Sequence, residues 1–182
     1  MRLRGGVPPA SARFDDILRT VPPLEQFTIS VSDLDWRRLL TPWDWLLRGM
    51  RIEPVFMTCF GDWILRAEDG SIHFLDLGAG NLRKLASSRV EFDRLLQDPK
   101  VRSELLMDDL VMLLRDRGVV LKPGQCFGYK IPLIVGGQLV AENIEPTMHM
   151  IHQSTIGQIA AQAKDMPPGT RISKFEDDSE LP

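Results

Sequence analysis

The chain has 182 residues, 43% of them hydrophobic and 26% charged, which suits a soluble globular domain with a core of its own. A net charge of −3 supplies no basic field for nucleic acid, and no apolar run is long enough to cross a bilayer or act as a secretory leader. The two cysteines, Cys59 and Cys126, form neither a CxxC pair nor a zinc-ligand spacing, so they read as small buried thiols in a reducing cytoplasm.

Residues 1–13 are basic and rich in Gly, Pro and Ala, and are expected to be flexible. Residues 176–182 read as an acidic tail, leaving 14–175 as one domain. A short helix is expected over 14–20, stopped by Pro22-Pro23, and a strand over 27–31. Trp36, Leu39, Leu40, Trp43, Leu46 and Leu47 then recur at helical spacing. Ser32 or Asp33 can cap that helix, and Thr41-Pro42 can open a second. Its tryptophans are expected in the core, although this Trp-rich helix could equally face a second copy of the chain as a homo-oligomer.

Strands are expected over 55–60, 63–67 and 71–77, with Asp69-Gly70 as the hairpin turn between the last two. Ile72 and Phe74 fall on one face, and Leu75 and Leu77 on the other. That strand should therefore be covered on both sides. His73 reads as a half-buried packing residue. After a turn at 78–81, Ser88 to Glu91 fits a capping box, with Val90, Leu95 and Leu96 as the inner face of its helix. A longer helix opens at Asp98-Pro99 and ends at Gly118, its stripe made by Val101, Leu105, Leu106, Leu110, Leu113 and Leu114. Asp108 and Asp109 are neighbours inside it, so they point about 100° apart and read as solvated. Strands are expected over 119–121, 127–135, 139–144 and 148–152, and a final helix over 154–165. This block order argues an α+β fold, a mostly antiparallel sheet with helices packed on it, in a single domain.

The glycine- and proline-rich segment 122–146 invites three chemical readings. A phosphate cradle needs GxxxxGK[ST] opening a helix. Gly124, Gly128 and Lys130 give GxxxGxK instead, and Ile131-Pro132 disfavours a helix. Metal binding would need His149 and His152 on one face, which a strand does not allow. A Cys126 nucleophile with His149 or His152 as base is a third reading, with no cationic neighbours in sequence to activate the thiol. The remaining reading is shaped backbone, with the glycines supplying turns and close approach. No cofactor, metal ligand or catalytic residue is assigned. Scattered Lys and Arg, without interleaved aromatics, argue against nucleic acid as a partner, and no membrane contact is expected.

The ordered set FGDWILRAEDGSIHFLDLGAGNLRKLASSRVEFDRLLQD, PGQCFGYKIPLIVGGQLVAENIEP and GQIAAQAKDMPPGTRI resembles a bacterial domain of unknown function. It is found as the C-terminal half of type VI secretion immunity proteins, which protect a cell from a secreted DNase toxin. The likeness extends over about residues 33–173. It implies a non-enzymatic, cytoplasmic protein that binds and neutralises a cognate toxin. Positions matching the pattern are Gly61, Asp62, Asp69, Gly70, Gly124, Gln125, Cys126, Lys130, Pro132, Gly136, Gly137, Asn143, His152, Gly157, Gln158, Lys164, Asp165, Pro167 and Gly169. The resemblance gives none of them a catalytic role, and leaves open whether each is structural or partner-binding. A looser likeness to SUKH-type immunity proteins points the same way. The alternatives are a general interaction or regulatory module, and an enzyme using Cys126 with a histidine.

Overall fold

The computed structural model describes residues 23–166 except residue 33. The helix expected over 14–20, the N-terminus expected to be flexible, the acidic tail, Asp33, Pro167 and Gly169 lie outside the described residues.

A five-stranded antiparallel sheet runs in chain order: β1 (Thr28–Ile29), β2 (Ile52–Thr58), β3 (Trp63–Ala67), β4 (Ile72–Asp76) and β5 (Asn81–Ala86). Strand alternation divides its side chains between two cores. Phe56, Ile64, Ile72 and Phe74 enter one core; Met57, Trp63, Leu65 and Leu75 enter the other. The two-sided covering expected of β4 is thereby borne out.

The second face is covered by α1 (Trp36–Leu40), a 3-10 turn at Thr41–Trp43, α2 (Asp44–Leu47) and the later α6 (His149–Ala163). Trp43 is fully buried there, while Trp36 and Trp45 are partly exposed. All three tryptophans thus pack into or against this core, Trp43 fully and Trp36 and Trp45 in part. The first face carries α3 (Arg89–Leu95), α4 (Pro99–Leu106) and α5 (Asp108–Asp116). A two-stranded antiparallel ribbon, β6 (Gln125–Tyr129) with β7 (Ile144–Met148), completes it. The class is α+β, as expected.

Several local expectations are corrected. The strand at 27–31 shortens to β1. Asp35, and not Ser32, caps α1, accepting from the Arg38 N–H at 3.4 Å. β5 was not expected: Asn81, Arg83 and Lys84 are exposed and only Leu82, Leu85 and Ala86 turn inward, a charged edge strand that reads poorly as β. Ser88 does cap α3, accepting from Glu91 N–H at 3.2 Å. However, Val90 is 70% exposed and Phe92 takes the core position. The long helix expected after Asp98 breaks at Met107, whose φ is 50°. The break turns Val111 and Leu114 inward and leaves Leu113 41% exposed. Asp108 and Asp109 consequently sit in the first turn of α5, where carboxylates suit the helix dipole.

The strands expected at 119–121 and across 130–143 do not form. The chain there folds into 3-10 turns at Leu133–Val135 and Ala141–Asn143. Met148–His152 is not a strand either; α6 starts at His149. No side chain caps it. The His149 N–H donates to the Gly124 carbonyl at 2.9 Å instead, so a distant backbone group replaces the local signal that sequence reading depends on.

Candidate functional site

The Phe60-Gly61-Asp62 corner between β2 and β3 is where Thr58, Asp62, His152 and Gln153, four of the six buried polar residues among those described, meet. Gly61 turns with φ of 89°. Thr58 Oγ1 accepts from the N–H groups of Phe60 and Asp62 at 3.2 and 3.1 Å, and donates to Asp62 Oδ2 at 3.0 Å. The other carboxylate oxygen, Oδ1, accepts from Leu77 N–H at 2.8 Å. Asp62 thus ties the corner to the end of β4, and it is only 2% exposed.

Helix α6 closes the corner. His152 Nε2 donates to the Phe60 carbonyl at 3.2 Å. Gln153 Nε2 donates to the Gly61 carbonyl at 2.6 Å, and Gln153 Oε1 accepts from Trp43 Nε1 at 3.0 Å. A Cβ on Gly61 would stand 3.0 Å from His152 Cδ2, so the glycine is needed for space as well as turn geometry. Gly128 of β6 is as tight: a Cβ there would meet Thr147 Oγ1 at 2.7 Å. The Tyr129 ring lies near-parallel to Phe60, centroids 6.2 Å apart, and 5.6 Å from the His152 ring.

Burial sets the charge states. It pushes the Asp62 carboxyl up to about 7, with repulsion from Asp76 adding to the rise and the Leu77 and Thr58 hydrogen bonds opposing it. Burial holds His152 down to about 4, so it is a neutral imidazole near neutral pH. Burial likewise raises Cys59 to about 11, and raises the Cys126 thiol, with the Asp62 charge adding to it.

A second cluster shapes the loop after β6. The Asn143 side chain accepts from Ile131 N–H and donates to the carbonyls of Ile131 and Gln138, each at 2.9 Å. Lys130 Nζ donates to the Glu142 carbonyl at 2.8 Å. Pro132 accepts from Gly137 N–H at 3.0 Å, and a Cβ on Gly137 would lie 1.9 Å from the Ile131 oxygen. Gly136 turns the chain with φ of 97°.

Gly61, Asp62, Cys126 and His152 therefore converge at the corner, and Lys130, Pro132, Gly136, Gly137 and Asn143 at the loop. Gly124 and Gln125 shape the entry to β6: Gln125 Oε1 accepts from Lys122 N–H at 2.9 Å. Gly157 packs on Pro42, and Asp69-Gly70 forms the β3–β4 turn as expected, with Asp69 accepting from Ser71 N–H. Gln158, Lys164 and Asp165 are exposed and join neither cluster; Lys164 Nζ lies 5.5 Å from the Trp45 ring centre. Sequence reading missed Thr58, Trp43, Tyr129, Asp76 and Gln153 as members of the corner. Only Gln153 carried a signal, since it shares the apolar stripe of Ile156 and Ala160.

The cysteine–histidine reading finds no support in this geometry. Among the described residues neither thiol bonds an imidazole; Cys59 Sγ donates to the Gln26 carbonyl at 3.7 Å. His149 and His152 share α6, correcting the strand placement, yet no group of three or more His, Cys, Asp or Glu suited to a metal occurs among the described residues. No described helix is long and apolar enough to cross a membrane.

Beside the corner, Asp62 is one of the residues lining a cleft of about 340 Å³. Its walls come from the ends of β4 and β6, the α4–α5 junction and the Asn143-held loop.

Residues 86–160 match the family described as T6SS immunity protein Tdi1, C-terminal. The resemblance to type VI secretion immunity proteins read from the sequence is thereby borne out across α3–α5, the ribbon and most of α6. Among solved structures, Atu4351 from Agrobacterium tumefaciens is similar at 15% identity and a TM-score of 0.49, over 81% of this chain and 75% of that one. No curated protein matches the chain.

Proposed function

We propose, on the premise that residues 86–160 carry the type VI immunity domain, that this protein binds a cognate secreted toxin directly and neutralises it. The toxin is taken to be a DNase. The family match is the observation that carries this reading. The geometry is compatible with a binder: the motif residues at the corner and the loop are engaged in internal hydrogen bonds, with no activated nucleophile beside them. Recognition then falls to surface side chains held by a rigid scaffold. The bound toxin, and not a chemical step, is the end product of the encounter. Co-expression with a candidate secreted DNase toxin tests it. Restored growth and a co-purifying complex are expected; continued killing with no complex would refute it.

A further inference from the structure

We propose that the cleft over Asp62 is the seat for one basic side chain, an arginine or lysine, of the protein partner. This rests on the immunity reading and names the chemistry by which the partner is held.

Three observations carry it. First, the cleft is mostly acidic. Asp62 and Asp76 both line it, and neither forms an ion pair among the described residues. Its one guanidinium, Arg83, is already committed: it pairs with Glu104 at 2.9 Å and lies over the Phe74 ring at 5.2 Å. Second, Asp62 is a nearly fully buried carboxyl whose two oxygens accept from Thr58 and the Leu77 N–H but which has no cationic partner among the described residues, so its charged form is costly until a cation arrives. Third, the shape fits a long side chain with a charged tip. Met107, Leu133 and Leu139 offer apolar wall for an alkyl stem, while Asp76 and the Tyr129 hydroxyl offer acceptors for the head.

The surroundings suit a protein more than a free small cation. Ile131, Leu139 and Val140 are 56, 48 and 40% exposed on the same loop, an apolar fringe that a partner's backbone could cover. The larger surface groove, about 460 Å³, lacks this character. Its Arg51 and Arg66 are already matched by Glu68 and Glu53.

Charge linkage follows. Asp76 from β4 raises the Asp62 carboxyl, and the hydrogen bonds from Leu77 and Thr58 lower it. The other titratable groups around it are Tyr129 and Cys126 of β6, on which Asp62 acts in turn, the neutral His152 imidazole of α6, and Arg83, which is paired with Glu104. A cation seated above would favour the ionised carboxylate and expel its proton, so binding should tighten as pH rises through the Asp62 titration.

The test uses the full chain in two arms. Asp62 itself is avoided, because its hydrogen bonds hold the corner. Asp76→Asn keeps the acceptor that receives Ala79 N–H while removing the charge, and Tyr129→Phe removes only the hydroxyl. Glu53→Gln, in the other groove, is the control. In the first arm N-acetyl-arginine amide and its neutral isostere N-acetyl-citrulline amide are titrated against the protein and followed by backbone NMR. Saturable shifts at Asp62, Asp76 and Tyr129 with the arginine compound alone are expected, weakened by both cleft variants. Equal shifts with both compounds, or none, would overturn the assignment. In the second arm the toxin is the ligand. Asp76→Asn should lose affinity on the order of 30-fold, as for a buried charge pair stripped of one partner, and Glu53→Gln should lose none. Undiminished binding by both cleft variants would overturn the cleft and leave the immunity reading intact. Failure of the wild-type protein to bind toxin would remove the immunity reading, and the first arm then decides the cleft alone.

Discussion

Gln153 and Gly61 stand 92 positions apart in the chain, and the Gln153 Nε2 group donates to the Gly61 carbonyl at 2.6 Å. The same fully buried side chain accepts from Trp43 Nε1. One amide thus joins α6, the β2–β3 corner and the helical segment at 41–47. Replacing it with leucine would fill the space and leave the Gly61 carbonyl and Trp43 N–H buried without partners. Each such orphan costs about 1–3 kcal/mol. Gln153→Leu should therefore lose about 2–5 kcal/mol in urea unfolding, whereas exposed Gln158→Leu should change little.

The pH dependence of stability should show two opposing groups. Asp62 titrates at about 7 folded against a usual 3.8, so between those values the folded state holds the extra proton. Its stabilising contribution is complete below the lower value and is lost as pH rises through about 7. His152 behaves oppositely: lowered from 6.5 to about 4, it contributes stability above 6.5 that is lost as pH falls toward 4. Within that shared window the two offset each other. Asp62→Asn should remove one side and expose a stability profile that falls with acid, measured by urea midpoints across pH. A variant profile parallel to that of the wild type would contradict the assignment.

The loop depends on Asn143 for three hydrogen bonds. Asn143→Ala should speed amide exchange at Ile131 more than in the β3–β4 hairpin. Its global cost should be about 2–3 kcal/mol. Gly137→Ala should be worse, since its Cβ would collide with the Ile131 carbonyl oxygen.

The thiols offer a chemical check on the cysteine–histidine alternative. Both are buried and their ionisation is disfavoured, so iodoacetamide should label neither in the native protein and both after unfolding. Rapid native labelling of Cys126 would restore the enzyme reading.

The central hairpins were legible because apolar alternation and Asp69-Gly70 are local signals. The caps at Ser88 and Asp98 were legible for the same reason. What could not be read depends on distant partners. The α6 start is completed by Gly124, and the Met107 break places a non-glycine residue at positive φ. The charged edge strand β5 resembles a loop in composition. At the corner, Gly61, Asp62 and His152 were found through family resemblance, but their common meeting point was not. Trp43 reaches it through the Gln153 amide and Tyr129 through the two-stranded ribbon, from segments far apart in the chain.

The most direct measurement of the proposed neutralisation is a plasmid-degradation assay with a purified candidate DNase toxin and increasing amounts of this protein. Degradation that stops at stoichiometric addition, with a stable complex recovered from the mixture, is the predicted result. Undiminished degradation at excess protein, with the two chains eluting separately, would contradict it.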